Sequence, residues 1–217
     1  MRRAAFALAF AFVLTLAACG GDDADPEEGG LMSTLEQAND LRKTAGNVQE
    51  RLEQAAEEAE RGPAETIDFR RLRDLLPETA AGLARTAQEG SKNGASGFTI
   101  STAEGTYADS TVDGSATLAV SDLGGTGMAI MMAAAWTMAE IDQETDTSYE
   151  RTTEIGGHPG YAKYDTDGAR GEAQLLVADR FLVKASGSGV SDDALLDLVQ
   201  SVDLDQLASW RDEGRPE

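Results

Sequence analysis

The chain has 217 residues, of which 18 are lysine or arginine and 39 are aspartate or glutamate, and its formal net charge is −21. This excess of acid excludes nucleic acid as a partner, because such a partner requires a basic surface that neutralises phosphates. The length suits one domain, or one domain with an appendage.

The first 18 residues have the pattern of a secretory signal peptide. Arg2 and Arg3 supply a basic start, and residues 4–18 carry no charge, a stretch shorter than the roughly 20 apolar residues of a spanning helix. Leu16-Ala17-Ala18-Cys19 resembles the lipobox of bacterial lipoproteins, which implies that Cys19 is diacylated and becomes the mature N-terminus. An ordinary signal peptide is the alternative. Cys19 is the single cysteine, so no intramolecular disulfide is expected.

Residues 19–30 predict an acidic, flexible linker, and residues 31–77 predict a helical stem or hairpin. Leucine, alanine and valine recur at steps of three and four over residues 31–61, which indicates an amphipathic helix. It either forms a weak coiled coil or packs on a second helix that begins after Asp68 and ends at Pro77. Three arginines in this second helix either bind an anionic partner or balance the acidic first helix; they are Arg70, Arg71 and Arg73.

Residues 78–210 predict a sheet domain, and residues 211–217 a polar tail. The stretch 79–88 is ambiguous between helix and edge strand, and the glycine-rich stretch 89–97 predicts a loop. An apolar helix is expected from Met128 to Ile141, and another after Ser191. The predicted strands are Phe98–Thr102, Gly105–Ser110, Ser115–Asp122, Tyr149–Ile155, Tyr161–Tyr164, Ala173–Ala178 and Phe181–Ala185.

These elements predict an α+β fold: an N-terminal helical stem or hairpin, then an antiparallel sheet of about six or seven strands packed by two helices. Hairpin signals such as Asp167-Gly168 make the sheet antiparallel. The order of helices and strands loosely resembles the small exported α+β domains of the PsbP, Mog1 and LpqN type. No site residues follow from this resemblance.

No motif for catalysis, cofactor binding or metal binding stands out. The strand, glycine turn and helix around residues 120–141 lack the lysine of a phosphate-binding loop, and Asp142, Glu144 and Asp146 lack the glycine and glutamate of a calcium loop. His158, the single histidine, is interpreted as a turn residue between glycines. Four methionines could line a groove or bind a soft metal, although core packing is the simpler interpretation; they are Met128, Met131, Met132 and Met138.

Only four residues are lysines: Lys43, Lys92, Lys163 and Lys184. Acid excess with few lysines is typical of proteins from salt-loving organisms, and codon bias in a high-GC genome is the alternative.

The sequence therefore predicts a non-enzymatic lipoprotein of the cell envelope, held to the membrane by the lipid on Cys19. Its sheet domain would bind another envelope protein or a small ligand. The expected location is the outer membrane, at its periplasmic or surface face, and the alternative is the outer face of the cytoplasmic membrane. Two other hypotheses are a structural stalk that oligomerises through residues 31–61 and a carboxylate-based hydrolase.

Overall fold

A computed structural model describes residues 64–95, 98–108, 114–125 and 140–215. It also describes nine isolated positions: Gly46, Gln49, Glu53, Gly62, Ala129, Met131, Met132, Ala135 and Trp136. All of these belong to one compact unit, Leu41–Glu217.

The described residues form nine strands and three short helices. The helices are α1 (Phe69–Asp74), α2 (Asp192–Gln200) and α3 (Leu204–Ser209). The strands are β1 (Thr79–Ala80), β2 (Leu83–Ala95), β3 (Phe98–Ala108), β4 (Ser115–Asp122), β5 (Asp142–Glu144), β6 (Ser148–Ile155), β7 (His158–Asp165), β8 (Arg170–Val177) and β9 (Phe181–Ser188).

One sheet contains all nine strands in the order β1-β2-β3-β4-β9-β8-β7-β6-β5, and every neighbouring pair is antiparallel. The order describes two meanders, β1 to β4 and β5 to β9, that join where β4 pairs with β9. That central pairing runs from Ser115 opposite Ser188 to Asp122 opposite Phe181. The last strand of each meander is therefore covered on both edges.

The hydrophobic core lies on one face of the sheet, called here the core face. Alternate residues of β4 are buried there, Ala116, Leu118 and Val120 among them, as expected of a strand that packs on one side. The three helices supply the second layer. Their fully buried side chains are Leu72 of α1, Leu195, Leu198 and Val199 of α2, and Leu207 of α3.

The opposite face, called the outer face, has two different ends. At one end Leu176 and Leu182 lie opposite each other in β8 and β9 and belong to a small apolar cluster with Ala129 and Trp136. At the other end the outer-face positions of β6 to β9 are polar. This polar end is where the cavity described below lies.

A fully buried ion pair lies at the end of β4. Arg180 Nη2 lies 2.7 Å from Asp122 Oδ2, and both side chains are 0% exposed. Arg180 also donates to backbone carbonyls of the C-terminal segment and to the carbonyl of Glu65. The pair thereby holds the segment that precedes α1, the β8–β9 turn and the C-terminal segment together.

The predicted fold class is wrong. The described part of the chain is dominated by a nine-stranded sheet with three short helices, not by a helical stem followed by six or seven strands. Most of the predicted stem, 31–61, lies outside the described residues. Within it Gly46, Gln49 and Glu53 are helical and exposed, and the second stem helix corresponds to α1.

The missed strands are those without an apolar pattern. The glycine-rich stretch 89–97 was predicted to be a loop, yet β2 continues to Ala95 along its partner β3. Gly90 lets α1 approach the strand closely, because a Cβ atom there would lie 2.5 Å from Cδ2 of Phe69 and would displace its ring. Asp142–Glu144, which lies between the predicted helix 128–141 and the next predicted strand, forms the edge strand β5 with every residue exposed. Such strands form through backbone pairing, which leaves no alternation in the sequence.

Candidate functional site

A cavity of about 450 Å³ opens on the polar end of the outer face, a volume within the range of small-molecule sites. Its floor is a row of residues directly opposite one another in β6, β7, β8 and β9: Glu150, Lys163, Glu172 and Ser186. Residues opposite each other in a sheet point to the same side, so these four side chains share the outer face. The complete lining is Gln143, Thr145, Ser148, Tyr149, Glu150, Lys163, Tyr164, Asp165, Arg170, Gly171, Glu172, Ser186 and Gly187.

Glu172 is the centre of a cluster of charges. Its Oε1 lies 3.3 Å from Lys163 Nζ and accepts a hydrogen bond of 3.1 Å from Gln174 Nε2, and its Oε2 lies 2.7 Å from Lys184 Nζ. The side chain is 17% exposed. Burial acts to raise the pKa of Glu172, but the hydrogen bonds and charges of Lys184 and Lys163 outweigh it, so the pKa is lowered.

Glu150 interacts with a tyrosine of the neighbouring strand. Burial, a hydrogen bond to Glu150, and the charges of Glu150 and Glu172 together raise the pKa of Tyr161 to about 12. The hydroxyl of Tyr161 is therefore protonated at neutral pH and donates to the Glu150 carboxylate.

A second carboxylate at the rim of the cavity also has a cationic partner. Asp165 Oδ2 lies 3.5 Å from Arg170 Nη2, and its Oδ1 accepts a hydrogen bond of 3.0 Å from the N–H of Gly168. The Gly168 N–H, with a further contribution from the charge of Arg170, lowers the pKa of Asp165. Two of the three acidic residues in the lining, Asp165 and Glu172, are thus stabilised as carboxylates.

The residues singled out from the sequence lie elsewhere. His158 is not a turn residue: the turn is Gly156-Gly157, and His158 is the first residue of β7, opposite Ile155, outside the cavity lining. Met131 is 75% exposed, which contradicts core packing at that position. Met128 and Met138 lie outside the described residues, and so does Cys19. Trp136 packs against the small apolar cluster.

Two of the three arginines of α1 have acidic partners within the described residues. Arg71 is ion-paired with Glu213, and its guanidinium lies 4.4 Å from the ring centroid of Trp210. Arg70 pairs with Asp68, the residue that caps α1. Both side chains thus contact the described domain, and neither is paired with the acidic stretch 31–61 in the part of the chain that the structure describes.

None of the five polar residues described above was predicted from the sequence to belong to a site: Glu150, Tyr161, Lys163, Glu172 and Lys184. A signal was present, because the polar residues of β7, β8 and β9 flank small buried residues that lie opposite one another: Ala162, Ala173 and Ala185. Alternation of small buried and charged residues predicts a polar outer face. Only the register shows that these charges meet.

Within the described ranges, no group of three or more histidine, cysteine or acidic side chains could hold a metal ion. Nor is any described helix long and apolar enough to cross a membrane. Comparison of the chain with protein-family models, with curated proteins and with solved structures gave no match. The resemblances to the lipobox and to the PsbP, Mog1 and LpqN type therefore stay predictions.

Proposed function

We propose that this protein is a lipid-anchored protein of the bacterial envelope whose sheet domain binds a small polar molecule in the outer-face cavity. The anchor rests on the sequence of residues 1–19. The binding role rests on one observation: a cavity of about 450 Å³ whose floor is formed by charged and hydroxyl side chains on adjacent strands. Side chains on paired strands are held in fixed positions, as recognition of a small molecule requires.

The protonation states of the cavity favour binding over hydrolysis. A general acid at neutral pH needs a carboxyl group with a raised pKa. The pKa of Glu172 is lowered by its lysine partners, and that of Asp165 by the N–H of Gly168 and by Arg170. Both groups are therefore ionised at neutral pH, and their roles are to hold the wall together and to present charge.

The binding role can be tested by filling the cavity. Ser186 points into it from β9, and Ser186→Trp would occupy its volume. Thr117 is the next residue across the sheet, opposite Ser186 on the same face but outside the lining, so Thr117→Trp is a matched control. Native mass spectrometry of the detergent-solubilised full chain, purified from its own envelope, is expected to show a bound small molecule in wild type and in Thr117→Trp.

The same spectra test both parts of the proposal. Loss of the bound mass in Ser186→Trp alone supports the cavity as the site. An unliganded wild type, or a bound mass that Ser186→Trp retains, would overturn it. The polypeptide mass should correspond to a chain that begins at Cys19 and carries acyl groups, and a chain that keeps Met1, or lacks acyl groups at Cys19, refutes the anchor.

A further inference from the structure

We infer that the molecule bound in the outer-face cavity is a small organic cation, an amine or ammonium compound, and that the carboxylate of Glu150 pairs with its positive charge. This inference rests on the proposed binding function and names the class of ligand. It follows from which charges in the cavity already have partners and which do not.

The lining contains three carboxylates, and two of them already pair with cations. Glu172 has two lysine nitrogens within 3.3 Å. Asp165 has Arg170 at 3.5 Å and the N–H of Gly168. A ligand cation at either carboxylate would compete with a cationic side chain that already neutralises it.

Glu150 differs from the other two acids. Among the described residues no lysine or arginine nitrogen lies within 4.0 Å of its carboxylate. Lys163 lies directly opposite Glu150 in β7, but its ammonium pairs with Glu172 on the other side. The hydroxyl of Tyr161 donates one hydrogen bond to Glu150. A carboxylate can accept about four hydrogen bonds, so Glu150 keeps acceptor capacity toward the cavity.

The cations of the lining do not favour an anionic ligand. Lys163 and Arg170 are both paired with carboxylates, and an anion would compete with those carboxylates for them. The long-range field acts in the same direction, because the chain carries a formal charge of −21. Such a field raises the local concentration of cations and repels anions.

Three probes of equal chain length separate charge from shape: 1,5-diaminopentane, 1,5-pentanediol and glutarate. Calorimetric titration of the solubilised full chain is expected to show binding of the diamine, and no binding of the diol or of glutarate under the same conditions. Glu150→Gln keeps the shape of the side chain and an acceptor for Tyr161 but removes the charge. It should weaken binding of the diamine by about tenfold or more.

Glu104→Gln is the matched control. Glu104 lies on the same outer face, in β3, two strands from Lys184, and it is not part of the lining. It changes the net charge by the same amount, so unchanged diamine binding in Glu104→Gln shows that the effect of Glu150 is local. An equal loss in both variants would overturn the role of Glu150.

Preference for the diol or for glutarate, or absence of diamine binding, would overturn the inference about charge. The proposed function is tested separately, by the native mass spectra that show whether Thr117→Trp retains a bound molecule and Ser186→Trp loses it. A retained molecule without a positive charge would therefore refute the cationic ligand and leave the binding cavity in place.

Discussion

Two charged clusters of this domain use the same kinds of groups in different surroundings. The first is the pair of Asp122 and Arg180, in which both side chains are 0% exposed. The second is Glu172 with Lys163 and Lys184, whose side chains are 17%, 50% and 38% exposed. The first lies at the end of β4 under the C-terminal segment, and two members of the second, Glu172 and Lys163, line the outer-face cavity.

The two clusters differ in how completely their hydrogen-bonding groups are used. Arg180 makes six hydrogen bonds, to Asp122 and to four backbone carbonyls, and Asp122 also accepts from the N–H groups of Ile67 and Gly124. Such saturation leaves no group for a ligand. A lysine ammonium has three N–H groups, so Lys163 and Lys184 keep donors that face water. Burial with full satisfaction indicates a structural role, and partial exposure beside a cavity indicates a binding role.

The largest effect is expected at the buried pair. Arg180→Met would leave the Asp122 carboxylate buried without a cation, and breaking such a pair costs about 3–5 kcal/mol of stability. Since domains of this kind are stable by about 5–15 kcal/mol, the urea midpoint should fall markedly. Lys184→Met, at the exposed cluster, should cost at most about 1 kcal/mol. Equal losses in the two variants would contradict the distinction between the clusters.

A double variant separates the ion pair from its backbone contacts. Replacing a simple buried pair by apolar residues often restores stability. Here Asp122→Leu with Arg180→Met would also leave two N–H groups and four carbonyls without their partners. The double variant should therefore stay as unstable as Arg180→Met, and recovery to the wild-type urea midpoint would show that the backbone contacts contribute little.

The sequence predicted the strands that alternate and missed what depends on long-range pairing. The strands β4 and β6 to β9 and the helix after Ser191 were predicted. In β4 and β9 buried residues alternate with less buried ones, and Ser191 caps the helix. The exposed strand β5 and the outer half of β2 were not, because they have no apolar face. The prediction of an antiparallel sheet is confirmed, and the predicted fold class is wrong, because nine strands and only three short helices make up the described part of the chain.

The charged clusters were not predictable for a related reason. Arg180 lies in the turn between β8 and β9, and its partner Asp122 lies 58 residues earlier in the chain. Nothing in the local sequence of either residue marks the pair. The same holds for Lys163, Glu172 and Lys184, which meet only through the registers of β7, β8 and β9. From the sequence alone, a charge that is neutralised by a residue distant in the chain cannot be distinguished from a solvated charge.

A smaller, pH-dependent effect is expected at the exposed cluster. Because the pKa of Glu172 is lowered below its usual 4.5 in the folded state, its contribution to stability is present above about pH 4.5 and is lost as the pH falls through the lowered value. Glu172→Gln should therefore be less stable than wild type at neutral pH, by at most about 1 kcal/mol, and the difference should shrink in acid. Urea midpoints measured across this pH range test it.

The lysines provide the control for that pH dependence. Lys184 makes the largest contribution to lowering the pKa of Glu172, so in Lys184→Met the pKa should move back toward 4.5 and the pH dependence assigned to Glu172 should weaken. A stability difference between wild type and Glu172→Gln that stays constant from neutral pH to acid would show that the lysines do not stabilise the carboxylate.

The smallest expected effect concerns a single proton on Tyr161. Its pKa is raised to about 12 by burial, by the hydrogen bond to Glu150, and by the charges of Glu150 and Glu172. Glu150→Gln removes one of these charges and leaves the burial unchanged, so the pKa should fall below 12 and remain above the ordinary value of 10.0. Alkaline titration of tyrosinate absorbance, with Tyr161→Phe subtracted, isolates this group. An unchanged pKa of Tyr161 in Glu150→Gln would mean that the Glu150 carboxylate does not interact with the Tyr161 hydroxyl.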